Sequence, residues 1–235
     1  MGKSTHYPQN EQKRITALVT NRFKQFYLTG GTALSFYFKH RFSDDLDFFT
    51  QKYKSQEPDQ VIKFISQKIG SPFHLQEEQD NPRLVPMKIY TLKLKGGEEL
   101  KIDFVKDFAK NLGKVKKGLH SVEDIYFRKI MAVMGPQDMM TETGMLPPSG
   151  RQRAKDLFDL YHLSVHHQPL VDFFLSHFSP SYAPRFIAWY RRFDRMDIKL
   201  DLLGLVPGMD TGAVLQTLDD QILKKIPEIL IRGGK

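Results

Sequence analysis

The chain has 235 residues, enough for one substantial core or two small ones, and its 40% hydrophobic content with 18 phenylalanines excludes a disordered polymer. It has no cysteine, which excludes disulfides and thiolate metal sites and fits a reducing compartment. The 35 basic and 27 acidic residues leave a formal charge of +8, which favours anionic partners such as nucleotides or RNA, and no apolar run is long enough to span a bilayer.

The opening stretch, Met1 to Asn10, is polar and lacks an apolar segment, so no secretory leader is expected and a cytoplasmic location is. Residues 11–23 read as a helix with Ile15, Leu18 and Val19 on one side. Gln25 to Leu28 reads as a short strand running into Gly30-Gly31, and Thr32 to His40 as a helix. Asp45 to Phe49 has the alternation of a strand. Residues 58–69 carry Val61, Ile62, Ile65 and Ile69 at helical spacing and stop at Gly70. Two strands are expected near 86–95 and 99–105, joined by the hairpin signal Lys95-Gly96-Gly97-Glu98. Residues 106–120 are polar and lysine-rich, and nearly everything after them reads as helix. Gly135-Pro136 and Pro147-Pro148 mark 135–150 as a loop or insertion. The expected division is a mixed α/β domain over 1–118 and a helical domain over 119–235.

Asp45 and Asp47 stand at i, i+2 on a strand, so both project to one face while Leu46 and Phe48 face the core. Like charges held that close are tolerated mainly around a cation. Gly30-Gly31 opens a helix whose N-terminal N–H groups suit phosphate. A third carboxylate, Asp103, is expected on the neighbouring strand Lys101-Ile102-Asp103-Phe104-Val105, where Lys101 and Asp103 share a face. Three acids could hold two Mg2+ ions, which bind a triphosphate and activate an attacking hydroxyl, with Asp103 as a candidate acceptor of its proton. Phosphate binding beside a magnesium site points to phosphoryl or nucleotidyl transfer.

Ser121 and Asp124 are expected to cap a helix whose stripe runs Val122, Ile125, Tyr126, Ile130 and Val133. Lys129 falls on that stripe, where its ammonium must either snorkel or meet an anion such as a phosphate. A helix beginning at Arg151 has the stripe Leu157, Leu160, Tyr161 and Val165. Asp156 borders it with no partner four residues on, whereas Lys155 can pair with Asp159.

Gly30-Gly31-Thr32-Ala33-Leu34, Arg41-Phe42-Ser43-Asp44-Asp45-Leu46-Asp47, the helical Lys129, and Lys155-Asp156-Leu157-Phe158-Asp159-Leu160 occur in the order of four motifs. Over roughly residues 25–165 the chain resembles the AbiEii/AbiGii-type, MenT-like nucleotidyltransferase toxins of the polymerase-β-like nucleotidyltransferase superfamily. The resemblance implies an α+β fold: a mixed sheet with flanking helices, then a C-terminal helical bundle that completes the active site. It implies that Gly30, Gly31 and Thr32 cradle the triphosphate, with Arg41 and Ser43 supporting it. Asp45 and Asp47 would bind metal, Lys129 would contact the nucleotide and Asp156 would act in catalysis. It further implies transfer of a nucleotide from an NTP, in some members to the 3′ end of tRNA, and pairing with an antitoxin protein. Two alternatives are a small-molecule nucleotidyltransferase of the antibiotic-modifying type and a non-catalytic nucleotide- or RNA-binding module.

Four other features stand beside these motifs. Arg185 to Arg195 mixes basic and aromatic residues, and the preferred reading is core Phe186, Ile187 and Tyr190 with solvated arginines. Lys106, Lys110, Lys114, Lys116 and Lys117 form a basic loop suited to a polynucleotide. His162 and His166 lack the companion glutamate of a zinc helix, and Phe173, Phe174 and Phe178 read as core.

Overall fold

The computed structural model describes residues 7–81, 84–94, 97–135 and 150–233. The first residues of the polar opening stretch, the Lys95-Gly96 half of the expected hairpin turn and residues 136–149 of the expected insertion lie outside them. The described chain divides into two compact units, Met1–Ile125 and Tyr126–Lys235. No helix among the described residues is long and apolar enough to cross a membrane.

The first unit is built on a five-stranded sheet in the order β1-β2-β5-β4-β3. Its elements are α1 (Tyr7–Arg22), β1 (Tyr27–Thr29), α2 (Gly30–Phe38), β2 (Leu46–Thr50), α3 (Glu57–Ile69), β3 (Phe73–Gln79), β4 (Met87–Lys93) and β5 (Glu99–Lys106). The sheet is mixed: β2 and β5 run parallel, and the other pairs are antiparallel. Helix α3 shows why the sequence pattern was readable. Pro58 sits in its first turn, Glu57 and Asp59 complement the helix dipole there, and Gly70 ends it at φ 71°. Val61, Ile62, Ile65 and Ile69 are its buried face.

Strand β3 was not apparent in the sequence. Its residues, Phe-His-Leu-Gln-Glu-Glu-Gln, alternate between no clear faces, and five of the seven are exposed. It is an edge strand with a register shift between Leu75 and Glu77, and polar, bulged edges resist pairing with other chains. At the other edge β1 is covered by its own chain: Leu28 N–H donates to Gly118 O at 2.8 Å and His120 N–H to Leu28 O at 3.0 Å. The lysine-rich segment is thus tied down at its C-terminal end.

The boundary between the units falls within α4 (Val122–Met134). Ser121 and Asp124 cap it as expected: Asp124 N–H donates to Ser121 Oγ at 3.1 Å, and that hydroxyl donates to Asp124 Oδ2 at 2.8 Å. The second unit continues with α5 (Ala154–His166), α6 (Leu170–His177), α7 (Ala183–Arg191), α8 (Arg195–Leu205) and α9 (Thr211–Leu218). A π-helical stretch over 219–225 then leads into α10 (Ile226–Gly233). Its core is aromatic. Tyr126 stacks on Phe173 at 4.1 Å, Phe174 on Phe186 at 5.3 Å and Phe186 on Trp189 at 5.6 Å. Phe186 and Tyr190 are buried and Arg191 and Arg192 exposed, as expected, but Ile187 is only half-buried and Arg185 is buried with the core. Arg195 instead pairs with Asp219 at 2.6 Å. Helix α5 starts three residues later than expected, and Val165, expected on its stripe, is half exposed.

Candidate active site

Packing in the sheet decides where the acids go. Leu46 and Phe48 of β2 and Ile102 and Phe104 of β5 are fully buried. Phe48 stacks on Phe104 at 5.6 Å, and Phe26 meets Phe104 edge-on at 5.3 Å. A slip of one residue would expel these rings from the core, so the register is fixed. With Phe48 beside Phe104, Asp47 stands beside Asp103 on the opposite face. Asp45 lies just before β2, where its carbonyl accepts a hydrogen bond from the Thr32 hydroxyl.

The Gly30-Gly31 turn closes over this pair. Gly30 has φ 71°, and a Cβ there would collide with Asp47 Oδ2. A Cβ on Gly31 would lie 2.5 Å from Arg41 Nη2 and 2.9 Å from Ser43 Oγ. One glycine therefore admits the Asp47 carboxylate, and the other admits a guanidinium and a hydroxyl. Arg41 is buried and donates to Phe42 O at 2.8 Å, while Gln12 holds the Ser43 carbonyl at 2.7 Å. Thr29 occupies the cap position of α2, yet its side chain makes no capping hydrogen bond. Its hydroxyl is 2.9 Å from His120 Nδ1 in a fully buried contact. The Thr29 side chain thus does not cap the first N–H groups of α2. His120 was not singled out by its sequence context, because a lone histidine after a lysine-rich loop carries no pattern. We expect Gly30→Ala to cut nucleotide transfer severely, because both the backbone and the Asp47 carboxylate must shift. A transfer assay beside a melting curve checks this.

Burial, and then the charge of Asp47, push the Asp103 carboxyl up to about 6, against the lowering effect of Lys101. Lys101 Nζ lies 2.5 Å from Asp103 Oδ2. The other oxygen, Oδ1, is buried with no hydrogen-bond partner. Among the described residues no three acidic or histidine side chains form a ready-made metal cage. Magnesium does not demand one, since it is usually held by one or two carboxylates, water and substrate phosphates. An all-oxygen donor set with an orphaned buried carboxylate oxygen fits such an ion.

The second unit holds a separate ionic cluster. Lys129 is buried and lies 2.9 Å from Asp156 Oδ1 and 2.6 Å from Asp159 Oδ2, and both carboxylates are fully buried. Arg151, half exposed, reaches Asp156 Oδ1 at 3.1 Å. Asp156 Oδ2 is buried without a hydrogen-bond partner. The anion that Lys129 meets is thus protein, and Asp156 finds its partner across the fold, not four residues on. Asp159, read as a local partner of Lys155, shares the Lys129 ammonium. Its i+3 spacing from Asp156 on one helix face was the signal for this. We expect Lys129→Met to destabilise the protein by about 3–5 kcal/mol, because it removes the ammonium that two buried carboxylates share. Denaturant unfolding measures it. The rings of His162 and His166 meet at a tilt with centroids 4.2 Å apart, and among the described residues no group of three metal-ligating side chains includes them.

A family model for the nucleotidyl transferase AbiEii toxin of type IV toxin–antitoxin systems matches residues 17–183. None of the curated proteins matches the chain. Among solved structures, JHP933 from Helicobacter pylori aligns over 99% of this chain and 97% of its own, with a TM-score of 0.61 and 20% identity. A candidate nucleotidyltransferase from H. pylori aligns over 97% of this chain and 99% of its own, with a TM-score of 0.62 and 20% identity. At that identity the likeness is one of fold, spanning the mixed sheet and the C-terminal helices.

Proposed function

The chain belongs to the AbiEii nucleotidyltransferase toxin family, and from that premise we propose a magnesium-dependent enzyme that moves a nucleotide from an NTP to a hydroxyl on RNA, the 3′ end of tRNA first. It would act in the cytoplasm as the toxin partnered by a cognate antitoxin. The observation that carries the reading is the in-register pairing of Asp47 with Asp103 beside the glycine turn.

In this reading residues 1–118 are the nucleotidyltransferase domain and residues 119–235 the helical domain. The backbone of Gly30, Gly31 and Thr32 receives the triphosphate at the opening of α2, and Arg41 and Ser43 beneath Gly31 supply charge and a hydrogen bond. Asp45, Asp47 and Asp103 would hold the metal, which would polarise the α-phosphate and acidify the attacking hydroxyl. The acceptor oxygen forms its bond to the α-phosphorus as the bond to the leaving pyrophosphate breaks. The hydroxyl proton passes to Asp103. Lys129 would reach the nucleotide only by sharing its ammonium with Asp156 and Asp159, and Asp156 acts through its hold on that ammonium. The formal charge of +8 supports a polyanionic acceptor.

The test is incubation of the protein with each α-labelled NTP, Mg2+ and total RNA. Label in RNA of tRNA size is expected. Label on a small acceptor would redirect the reading to small-molecule modification, and absence of transfer with every NTP would overturn it.

A further inference from the structure

Lys101 stands at the acid cluster, and the reaction above gives it no part. It stands two residues before Asp103 on β5, so both side chains leave the same face of the sheet. Its ammonium lies 2.5 Å from Asp103 Oδ2, and its side chain is 38% exposed against 13% for Asp103. Burial pulls the ammonium down. The hydrogen bond to Asp103 and the charges of Asp103, Asp45 and Asp47 outweigh it, so the lysine is held above its ordinary value. All three carboxylates thus act on one cation that the chain itself supplies.

A divalent ion held by Asp47 and Asp103 would use the same carboxylate. Magnesium takes its oxygens at about 2.0–2.1 Å, so an ion there and an ammonium on Asp103 would stand a few ångströms apart and repel. The lysine has a four-carbon stem and more than a third of its side chain in solvent, so it can leave.

We propose that Lys101 is an internal counter-cation that competes with the metal for Asp103. It neutralises the carboxylate when no ion is bound and withdraws when one enters, which keeps the affinity for free metal low. Metal then loads mainly together with the triphosphate, whose oxygens add the ligands that outweigh the lysine. This rests on the metal assignment of Asp47 and Asp103.

The experiment is calorimetric titration of the metal-free full chain with Mn2+ at pH 7.5, with melting curves before and after. Lys101→Met and Lys101→Gln are expected to bind Mn2+ about tenfold more tightly than the wild type. They should also melt lower without metal and gain more on its addition. Lys101→Arg keeps the charge and is expected to bind as the wild type does. Equal or weaker binding by both neutral variants overturns the role of Lys101 and leaves the metal site standing, as does equal tightening by the arginine variant. A wild-type chain that takes up no Mn2+, with or without NTP, overturns the metal assignment and this inference with it.

Discussion

Asp47→Asn is expected to lower nucleotide transfer by at least about a thousandfold while the protein still melts cooperatively. The change is isosteric, so the close approach of Asp47 to Gly30 is kept and the Phe48–Phe104 packing is untouched. What is lost is one negative charge beside Asp103. That charge is the second cause, after burial, of the raised Asp103 carboxyl, so Asp103 should titrate closer to its ordinary range in the variant. Loss of activity with an intact fold assigns Asp47 to the chemistry, and Asp45→Ala should behave alike. Transfer of labelled nucleotide at saturating NTP, read beside circular dichroism, decides it. Undiminished activity in either variant removes the proposed mechanism.

Asp103→Asn should abolish transfer and, without metal, stabilise the protein. The sign follows from the raised folded-state value of about 6 against 3.8 for an ordinary aspartate. A group raised by folding favours the folded state fully below about pH 4, and that contribution is lost as pH rises through about 6. Above that pH the wild type carries a buried carboxylate that the asparagine variant lacks. The gain is on the order of 1–2 kcal/mol, reduced by solvent and by the weaker hydrogen bond that Lys101 makes to an amide. The two proteins should therefore melt together near pH 4 and diverge above pH 6, with the variant higher. Saturating Mn2+ should reverse the order, because a bound ligand stabilises only the protein that binds it. Wild-type transfer should also fall as pH drops below about 6, where Asp103 becomes protonated. A variant that is less stable than the wild type at pH 8 without metal contradicts the electrostatic account.

A residue whose neighbours in space are also neighbours in sequence was legible from the start. The i, i+2 spacing of Asp45 and Asp47 at the start of β2, the glycine turn that opens α2, the Ser121–Asp124 cap and the Gly70 stop all work within one turn or one strand. The order of four motifs, with the alternation of β2 and β5, led to the α+β nucleotidyltransferase fold and its family. A carboxylate's partner is different, because it is chosen by packing. Asp159 sits four residues from Lys155, and local spacing favoured that pair. Burial also brought Asp156 and Asp159 together on Lys129, in an interior where unpaired charge is costly.

By itself the sequence determined which side chains share a face, because helical and strand periods are properties of the local backbone. Only tertiary structure decided which faces meet. It set β5 parallel to β2 with Asp47 level with Asp103, added the polar edge strand β3, and drew the Thr29 hydroxyl to His120 and away from the opening of α2. Those outcomes depend on close packing of Phe26, Phe48 and Phe104 from three distant segments, a condition that no window of neighbouring residues contains.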